Sequence, residues 1–435
     1  MLRIAIHHVV RPFGALPVPT TRRQFLTTSA LTLSAASYAR AADNPSAKIR
    51  LAVMGLRTRG KQLIPGFAAL PGVEISHVID PDPAMVKPAL DVLKNPASLP
   101  KIETDVRKML DDKSVTAVVV AAPDHWHALA TVWAAERGKH VYVEKPVSHN
   151  LIEGRRMVQA ARKYKVVIQA GTQRRSSTSV AAAREFVKSG KLGKVAFARA
   201  WIAGSRKPIG KKADGPAPKG VDYDLFRGPA PERAFNANRF HYNWHWFWET
   251  GTGELGNNGI HGLDVIRNVL QLDAPTRIAS MGGKYVFDDD QETPDTQTAM
   301  FDFPGCTVVW EHRVWEKSGP EKQSFGIILH GEKGSLLFDG SGWHVRDGEE
   351  IKEPNGPDMV KAHQKNFIDA VRGDAKPNAE VEEGHKSTRL CHLGNIAFRT
   401  GKVLKFDAAT ETTDSSEANK LLGREYRKGF ELPAV

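Results

Sequence analysis

The stretch from Val115 to Pro146, VTAVVVAAPDHWHALATVWAAERGKHVYVEKP, constrains the fold more than any other part of the chain. It opens with an apolar, β-branched run from Val115 to Ala122, which has the length and content of a strand buried on both faces. Pro123 and Asp124 break that run. A helical pattern follows from His125 to Arg137, stopped by Gly138. A second apolar run, His140 to Val143, then delivers Glu144, Lys145 and Pro146 at its carboxyl end. Strand, helix and strand in this order form a parallel crossover unit. Ligands of open α/β sheets bind beyond the carboxyl ends of the strands, which puts Lys145 where chemistry occurs.

A chain of 435 residues is too long for a single core, so two domains are expected. Its hydrophobic and charged fractions, 41% and 25%, are those of a globular chain and neither disordered nor membrane-like. The first forty residues differ from the rest. They contain no acid, carry Thr21-Arg22-Arg23-Gln24-Phe25-Leu26, run through a mildly apolar stretch from Thr27 to Ala36, and end at the small-x-small site Ala39-Arg40-Ala41. The expectation is a twin-arginine signal over residues 1–41, read by the twin-arginine export machinery and directing a folded, periplasmic or otherwise exported protein. Its apolar part is too short to span a bilayer, and no membrane span is expected. Loss of its five arginines lowers the net charge from +12 to +7. The remaining bases are scattered, so no nucleic-acid partner is expected. Cys306 and Cys391 read as two separate buried thiols.

Residues 48–170 read as a Rossmann doubly wound parallel sheet. The strand Ile49–Met54 runs into Gly55-Leu56-Arg57-Thr58-Arg59-Gly60, then a helical pattern, then a strand from Val73 ending at Asp80. This is the order of the dinucleotide fingerprint, with Arg57 where its second glycine stands. The side chains of Arg57 and Arg59 would bring charge to the phosphates in place of a close backbone approach. A carboxylate at Asp80 accepts from ribose hydroxyls and repels a 2′-phosphate, so the expected cofactor is NAD in preference to NADP. Asp82, between Pro81 and Pro83, reads as a solvated turn residue.

Residues 171–435 read as an α/β domain with a large, mostly antiparallel open sheet. Period-two alternation marks Val195–Ile202, Thr296–Phe303, Thr307–Val314 and Ser324–Leu329, with helices at Ser179–Ser189, Ile260–Leu270 and Met359–Arg372. A long insertion from Gly204 to Glu249 begins with a flexible stretch, Lys207 to Gly220, and ends in His241-Tyr242-Asn243-Trp244-His245-Trp246-Phe247-Trp248. Aromatic faces suit the C–H side of a sugar ring, although aromatic clusters more often pack. One or two of Tyr242, Trp244 and Trp246 are expected to line a substrate cleft. In Gly251 to Asp264 a glycine-rich turn enters a helix, placing His261 and Asp264 one turn apart on the same face as candidate catalytic groups. His125 and His127, two apart on a helix, do not share a face, and no metal site is expected. His385 and His392 read as structural.

The sequence AAPDHWH, then Gly138-Lys139-His140-Val141 and Glu144-Lys145-Pro146, together with the nucleotide turn and the distant histidine motif, resembles the Gfo/Idh/MocA oxidoreductases, the group of glucose-fructose oxidoreductase and the inositol dehydrogenases. The resemblance covers nearly all of the chain beyond the signal. It implies that Lys145 contacts nicotinamide ribose and substrate, that Pro146 follows a cis peptide, and that Pro123, His127 and Glu144 lie beside the cofactor. It also implies Gln173 and Arg174 near the substrate, although a solvated linker explains those two residues equally well. His261 corresponds to the family's acid/base. Two positions depart from the pattern: Asp124 stands where Asn is usual, and Asn257 stands where an Asp commonly precedes the histidine. The resemblance also implies an open sheet whose free face makes subunit contacts, and hence a homo-oligomer.

The function expected from these readings is oxidation of a sugar, glycoside or polyol hydroxyl, with hydride passing to a tightly held nicotinamide, Lys145 polarising the oxygen and His261 taking the proton. Two alternatives share the architecture. One is a redox-neutral glycosidase using transient C3 oxidation and elimination, and the other is a non-catalytic sugar-binding protein.

Overall fold

The computed structural model describes residues 48–435 apart from Asn95 and Ala97, and the expected export signal lies outside the described residues. The first sheet has six strands in the order β3-β2-β1-β4-β5-β6: Lys101–Glu103, Val73–Ile79, Ile49–Met54, Ala117–Val120, His140–Val143 and Ile168–Ala170. All of its pairings are parallel. Every residue of β4 is buried, as its apolar run requires. Its side chains alternate between two cores. Ala117 and Val119 pack with Leu63, Ile64 and Phe67 of the helix Arg59–Ala68, while Val118 and Val120 pack with Leu129 and Val132 of the helix Asp124–Glu136. The strand order reverses between β1 and β4, and a crevice opens at their carboxyl ends, where α/β sheets bind ligands.

The second sheet has ten strands in the order Lys352–Pro354, Gly342–Arg346, Gly334–Asp339, Phe325–Gly331, Val195–Ala203, Cys306–Arg313, Thr296–Phe303, Arg277–Gly283, Leu404–Asp407 and Thr412–Thr413. The expected strands appear as β7 (Val195–Ala203), β11 (Thr296–Phe303), β12 (Cys306–Arg313) and β13 (Phe325–Gly331). Only β7 and β12 pair in parallel; all other neighbours are antiparallel. One face packs under the helices Thr178–Lys188, Ile260–Leu270 and Val381–Thr400. The other face carries the exposed Phe197, Met281 and Met300 and the Arg199–Glu311–Arg313 charge row.

The boundary at residue 170 is not a clean one. The helix Met359–Arg372 returns to the first sheet, where Phe367, Ile368 and Val371 join the core beside β1 and Tyr142, and Phe430 joins the core on the opposite face. The stretch 207–220, expected to be flexible, is fastened: the Ile209 amide donates to Asp289 at 2.8 Å, the Lys212 amide to Asp290 at 2.7 Å, and Asp214–Gly215 pairs with Phe235–Asn236. Cys306 and Cys391 are both buried free thiols. Among the described residues no helix is long and apolar enough to cross a membrane.

The turn after β1 is the tightest point of the first sheet. Gly55 has φ +84°, and a Cβ on Gly60 would sit 1.9 Å from the Gly55 carbonyl oxygen. Gly60→Ala is expected to lower the free energy of unfolding by about 1–3 kcal/mol through this overlap, read as a lower midpoint in urea at unchanged m-value.

Candidate active site

A cleft of about 340 Å³ lies at the carboxyl ends of β1, β2, β4 and β5, with the second half of the chain forming its opposite wall. The turn after β1 contributes Gly55, Arg57 and Arg59; the end of β2 contributes Asp80 and Asp82; the start of the helix Asp124–Glu136 contributes Pro123, Asp124 and His127; and the end of β5 contributes Glu144 and Lys145. Facing them are Gln173, Phe240, His241, Tyr242, Trp244, His245, Asn257 and His261.

At one end Asp80 is 8% exposed, and its two carboxylate oxygens accept from the amides of Leu56 at 2.8 Å and Asp82 at 2.9 Å. Burial pushes its pKa up to about 6 against the pull of those two amides. Leu56 therefore acts through its backbone; neither it nor Gly60 lines the cleft, contrary to the sequence expectation, because their place is beneath the turn. Asp82 corrects another expectation. It is 6% exposed, accepts from the Ala84 amide, and stands 3.1 Å from His241 Nε2. No local pattern reveals this pair, since its members are far apart in sequence. Arg59 donates to Glu144 at 2.7 Å, tying the first helix to the end of β5 and leaving its buried Nη2 unpartnered. Arg57 is exposed and forms no ion pair among the described residues.

At the other end Lys145 Nζ donates to the Asn257 carbonyl at 2.6 Å and to its Oδ1 at 3.1 Å. Lys145 precedes a cis bond to Pro146, as the resemblance implies. Burial lowers the pKa of its ammonium, opposed by Glu144, Asp124 and Glu254. Asn257 sits on a π-helical turn, Leu255–Gly259, that leads into the helix Ile260–Leu270 bearing His261; such turns concentrate at functional sites. Burial, then the cations Lys145, Arg174 and Arg59, hold the His261 pKa well below the ordinary imidazole value, so the ring is neutral near pH 7. His127 bridges backbone: its ring nitrogens lie 2.6 Å from the Pro146 carbonyl oxygen and 2.7 Å from that of Ala122. Asp124 is 1% exposed and accepts from Thr252 at 2.7 Å across the two halves, and burial pushes its pKa up to about 7.

Besides Leu56 and Gly60, three expected site residues are not brought into the cleft. Trp246 is 1% exposed, and within the 3-10 turn His241–Trp246 its ring lies inward under the Arg206 guanidinium, 3.7 Å away. Of that run, His241, Tyr242, Trp244 and His245 line the cleft, with Trp244 stacked on His245 at 3.6 Å. Arg174 lies over the Phe325 ring instead of the cleft, while its neighbour Gln173 lines it. Asp264 points away from His261: it accepts from Arg175 and Ser387 at 2.8 and 2.6 Å, so it fastens the catalytic-side helix to the turn after β6. His363, His385 and His392 are buried on backbone and side-chain partners away from the cleft. Among the described residues no group of three or more His, Cys, Asp or Glu is placed to hold a metal.

Comparison with known proteins agrees with this architecture. Residues 49–172 match the family described as oxidoreductase family, NAD-binding Rossmann fold (GFO_IDH_MocA), and residues 207–432 match oxidoreductase family, C-terminal alpha/beta domain (GFO_IDH_MocA_C2). The chain is 34% identical to 1,5-anhydro-D-fructose reductase of Ensifer adhaerens over 297 residues, which cover 65% of this chain and 78% of the relative. It is 28% identical to scyllo-inositol 2-dehydrogenase (NAD(+)) of Bacillus subtilis over 151 residues, 34% of this chain and 42% of the relative, so it spans about two fifths of that protein's length. A crystal structure of the WlbA dehydrogenase of Bordetella pertussis, in complex with NADH and UDP-GlcNAcA, shares the fold. Its TM-score is 0.63 at 20% identity, over 83% of this chain and 99% of that one.

The Arg175–Asp264 pair is almost wholly buried, with side chains 7% and 1% exposed. Asp264→Ala leaves the buried guanidinium with only the longer pair to Glu383, at 3.4 Å, and is expected to cost about 3 kcal/mol of stability in chemical denaturation.

Proposed function

Because the chain belongs to the Gfo/Idh/MocA oxidoreductase family, we propose that it oxidises a hydroxyl of a sugar, glycoside or polyol with NAD. The observation that carries this reading is the convergence of Lys145 and His261, from opposite halves, on one wall-to-wall cleft that also holds Asp80. The residues present fit a dinucleotide. The acid at the end of β2 suits ribose hydroxyls, and the unpartnered Nη2 of Arg59 with the unpaired Arg57 suits phosphate oxygens at the glycine turn. When bound, NAD supplies the hydride acceptor.

Asn257 occupies two of the three Lys145 hydrogens and leaves one for a substrate oxygen, whose developing negative charge the ammonium stabilises. Neutral His261 receives the hydroxyl proton; its neighbouring cations disfavour keeping that proton, so it passes readily to solvent. Trp244, His245 and Tyr242 offer ring faces and polar edges to a sugar. Asn257, where a carboxylate is common, positions Lys145 and cannot itself take a proton.

The roofed cleft also suits a redox-neutral glycosidase cycle: oxidation at C3, loss of the acidified C2 proton with the glycosidic group, addition of water, and re-reduction. Residues 1–41 are read as a twin-arginine signal to the periplasm, where a resident cofactor is an advantage. The open face of the ten-stranded sheet, with Phe197, Met281 and Met300 exposed, is read as the contact of a homo-oligomer.

The deciding experiment identifies any nucleotide released on denaturing the purified protein and then screens sugars and glycosides for turnover. NADH formation supports net oxidation, glycoside hydrolysis without net NADH supports the redox-neutral cycle, and His261→Ala and Lys145→Ala are each expected to lose roughly 10²–10⁴-fold in kcat. Turnover unchanged in both variants would refute the catalytic reading.

NAD affinity is expected to follow the ionisation of Asp80. The charged carboxylate accepts from both ribose hydroxyls, whereas the protonated one has lost an acceptor, so affinity falls as pH drops through about 6. Asp80→Asn is expected to bind more weakly and to flatten this dependence in a titration followed by calorimetry from pH 5 to 8.

A further inference from the structure

The insertion from Gly204 to Glu249 crosses to the cofactor-binding half and is fastened there at several points. The Asp222 amide donates to the Pro81 carbonyl at 2.9 Å, next to Asp80. Trp126 Nε1 donates to the carbonyls of Leu225 and Phe226, each at 3.1 Å, and His125 Nε2 lies 3.0 Å from the same Phe226 oxygen. Gly228, at φ +46°, presses so closely on Trp126 that a Cβ would stand 2.3 Å from its ring. His241 reaches Asp82. The result is an aromatic wall of Phe226 and Phe240, with ring centroids 4.6 Å apart, facing the carboxyl ends of β2 and β3 where Asp80 and Asp82 lie.

A second segment locks this wall from outside. The C-terminal tail places both Nη atoms of Arg427 on the two carboxylate oxygens of Asp224, at 2.7 and 3.0 Å, within the short helix Tyr223–Arg227. The burial of Phe430 against Trp126, with centroids 5.7 Å apart, holds the tail in place.

We propose that residues 222–241 form the adenosine wall of the nucleotide site, and that the Arg427–Asp224 clasp sets how long the dinucleotide stays bound. The inference rests on the cofactor reading above. An aromatic wall supplies a face for a purine ring. The wall is made by the second half of the chain, so a nucleotide lodged at Asp80 has this segment against it, and the bidentate clasp holds the segment in place. Dissociation, more than association, is the rate such a clasp changes.

The test uses the full chain loaded with NADH and chased with excess NAD, with loss of bound-NADH fluorescence followed by stopped flow. Asp224→Ala and Arg427→Ala are each expected to speed release roughly threefold, and the double variant no further than either single one. Asp224 also accepts from Arg227 at 2.9 Å, so the control is Asp224→Glu, which keeps the carboxylate for both arginines and is expected to retain slow release. This result separates a clasp from general damage to the fold, and melting of the nucleotide-free variants gives a second control. Release at the wild-type rate in both single variants overturns the clasp while leaving the cofactor reading standing. A wild-type protein that binds no dinucleotide overturns both.

Discussion

The buried ammonium of Lys145 is the constraint around which the two halves are arranged. A charge taken out of water needs partners, and its own strand supplies none that satisfy its hydrogens. Those partners come from the second half, as the carbonyl and side-chain oxygen of Asn257. The same seam is closed by Thr252 donating to Asp124 and by His125 against the Thr250 carbonyl at 3.2 Å. Neither half could expose this surface alone without orphaning polar groups. The cleft therefore exists as a property of the docked chain, and the carboxylates of Glu144, Asp124 and Glu254 set the electrostatic level at which Lys145 works.

Much of the fold was readable because it obeys local rules. The strand Ile49–Met54, the strand His140–Val143 and the helices Ile260–Leu270 and Met359–Arg372 stand at the residues their apolar periodicity marks. Lys145, His261 and Asp80 were readable for the same reason: each follows a strand or turn whose position in an α/β fold is nearly fixed. What escaped detection depends on contacts between residues 40 to 159 apart in the sequence. Asp82 looks solvated between two prolines until His241 and the insertion cover it. Asp264 shares a helix with His261 but turns to Arg175, since a buried arginine on the neighbouring segment outweighs helical phase. Trp246 and Trp244 have the same local sequence character, and what distinguishes them, the Arg206 guanidinium over the Trp246 ring, comes from the far end of the insertion.

The Asp124–His127 segment shows how one short motif divides its labour. Both histidines face backbone carbonyls on two sides, His125 those of Phe226 and Thr250 and His127 those of Pro146 and Ala122, and a neutral imidazole, with a single N–H, donates to one of its two. Burial holds both pKa values below the ordinary imidazole value, so these rings do not act as cations at neutral pH. Their use is geometric. His127 fixes the backbone that carries Lys145, and His125 with Trp126 fixes the insertion that roofs the cleft.

Selectivity at the ribose end follows from the same roof. Asp80 alone would repel a 2′-phosphate, while the nearby Arg57 would attract one, and the balance between them is not set by either residue. Asp82 adds a second acid at that end and is kept there, out of water, by the closure of the insertion over it. Arg57 stays exposed, where water screens its charge, whereas both acids act from a less polar surrounding in which Coulomb forces are several times stronger. His241 offsets part of the Asp82 charge, but burial lowers its own pKa and leaves it largely neutral near pH 7. The acids therefore dominate, and the unphosphorylated dinucleotide is favoured by the way the second half of the chain excludes water from the first.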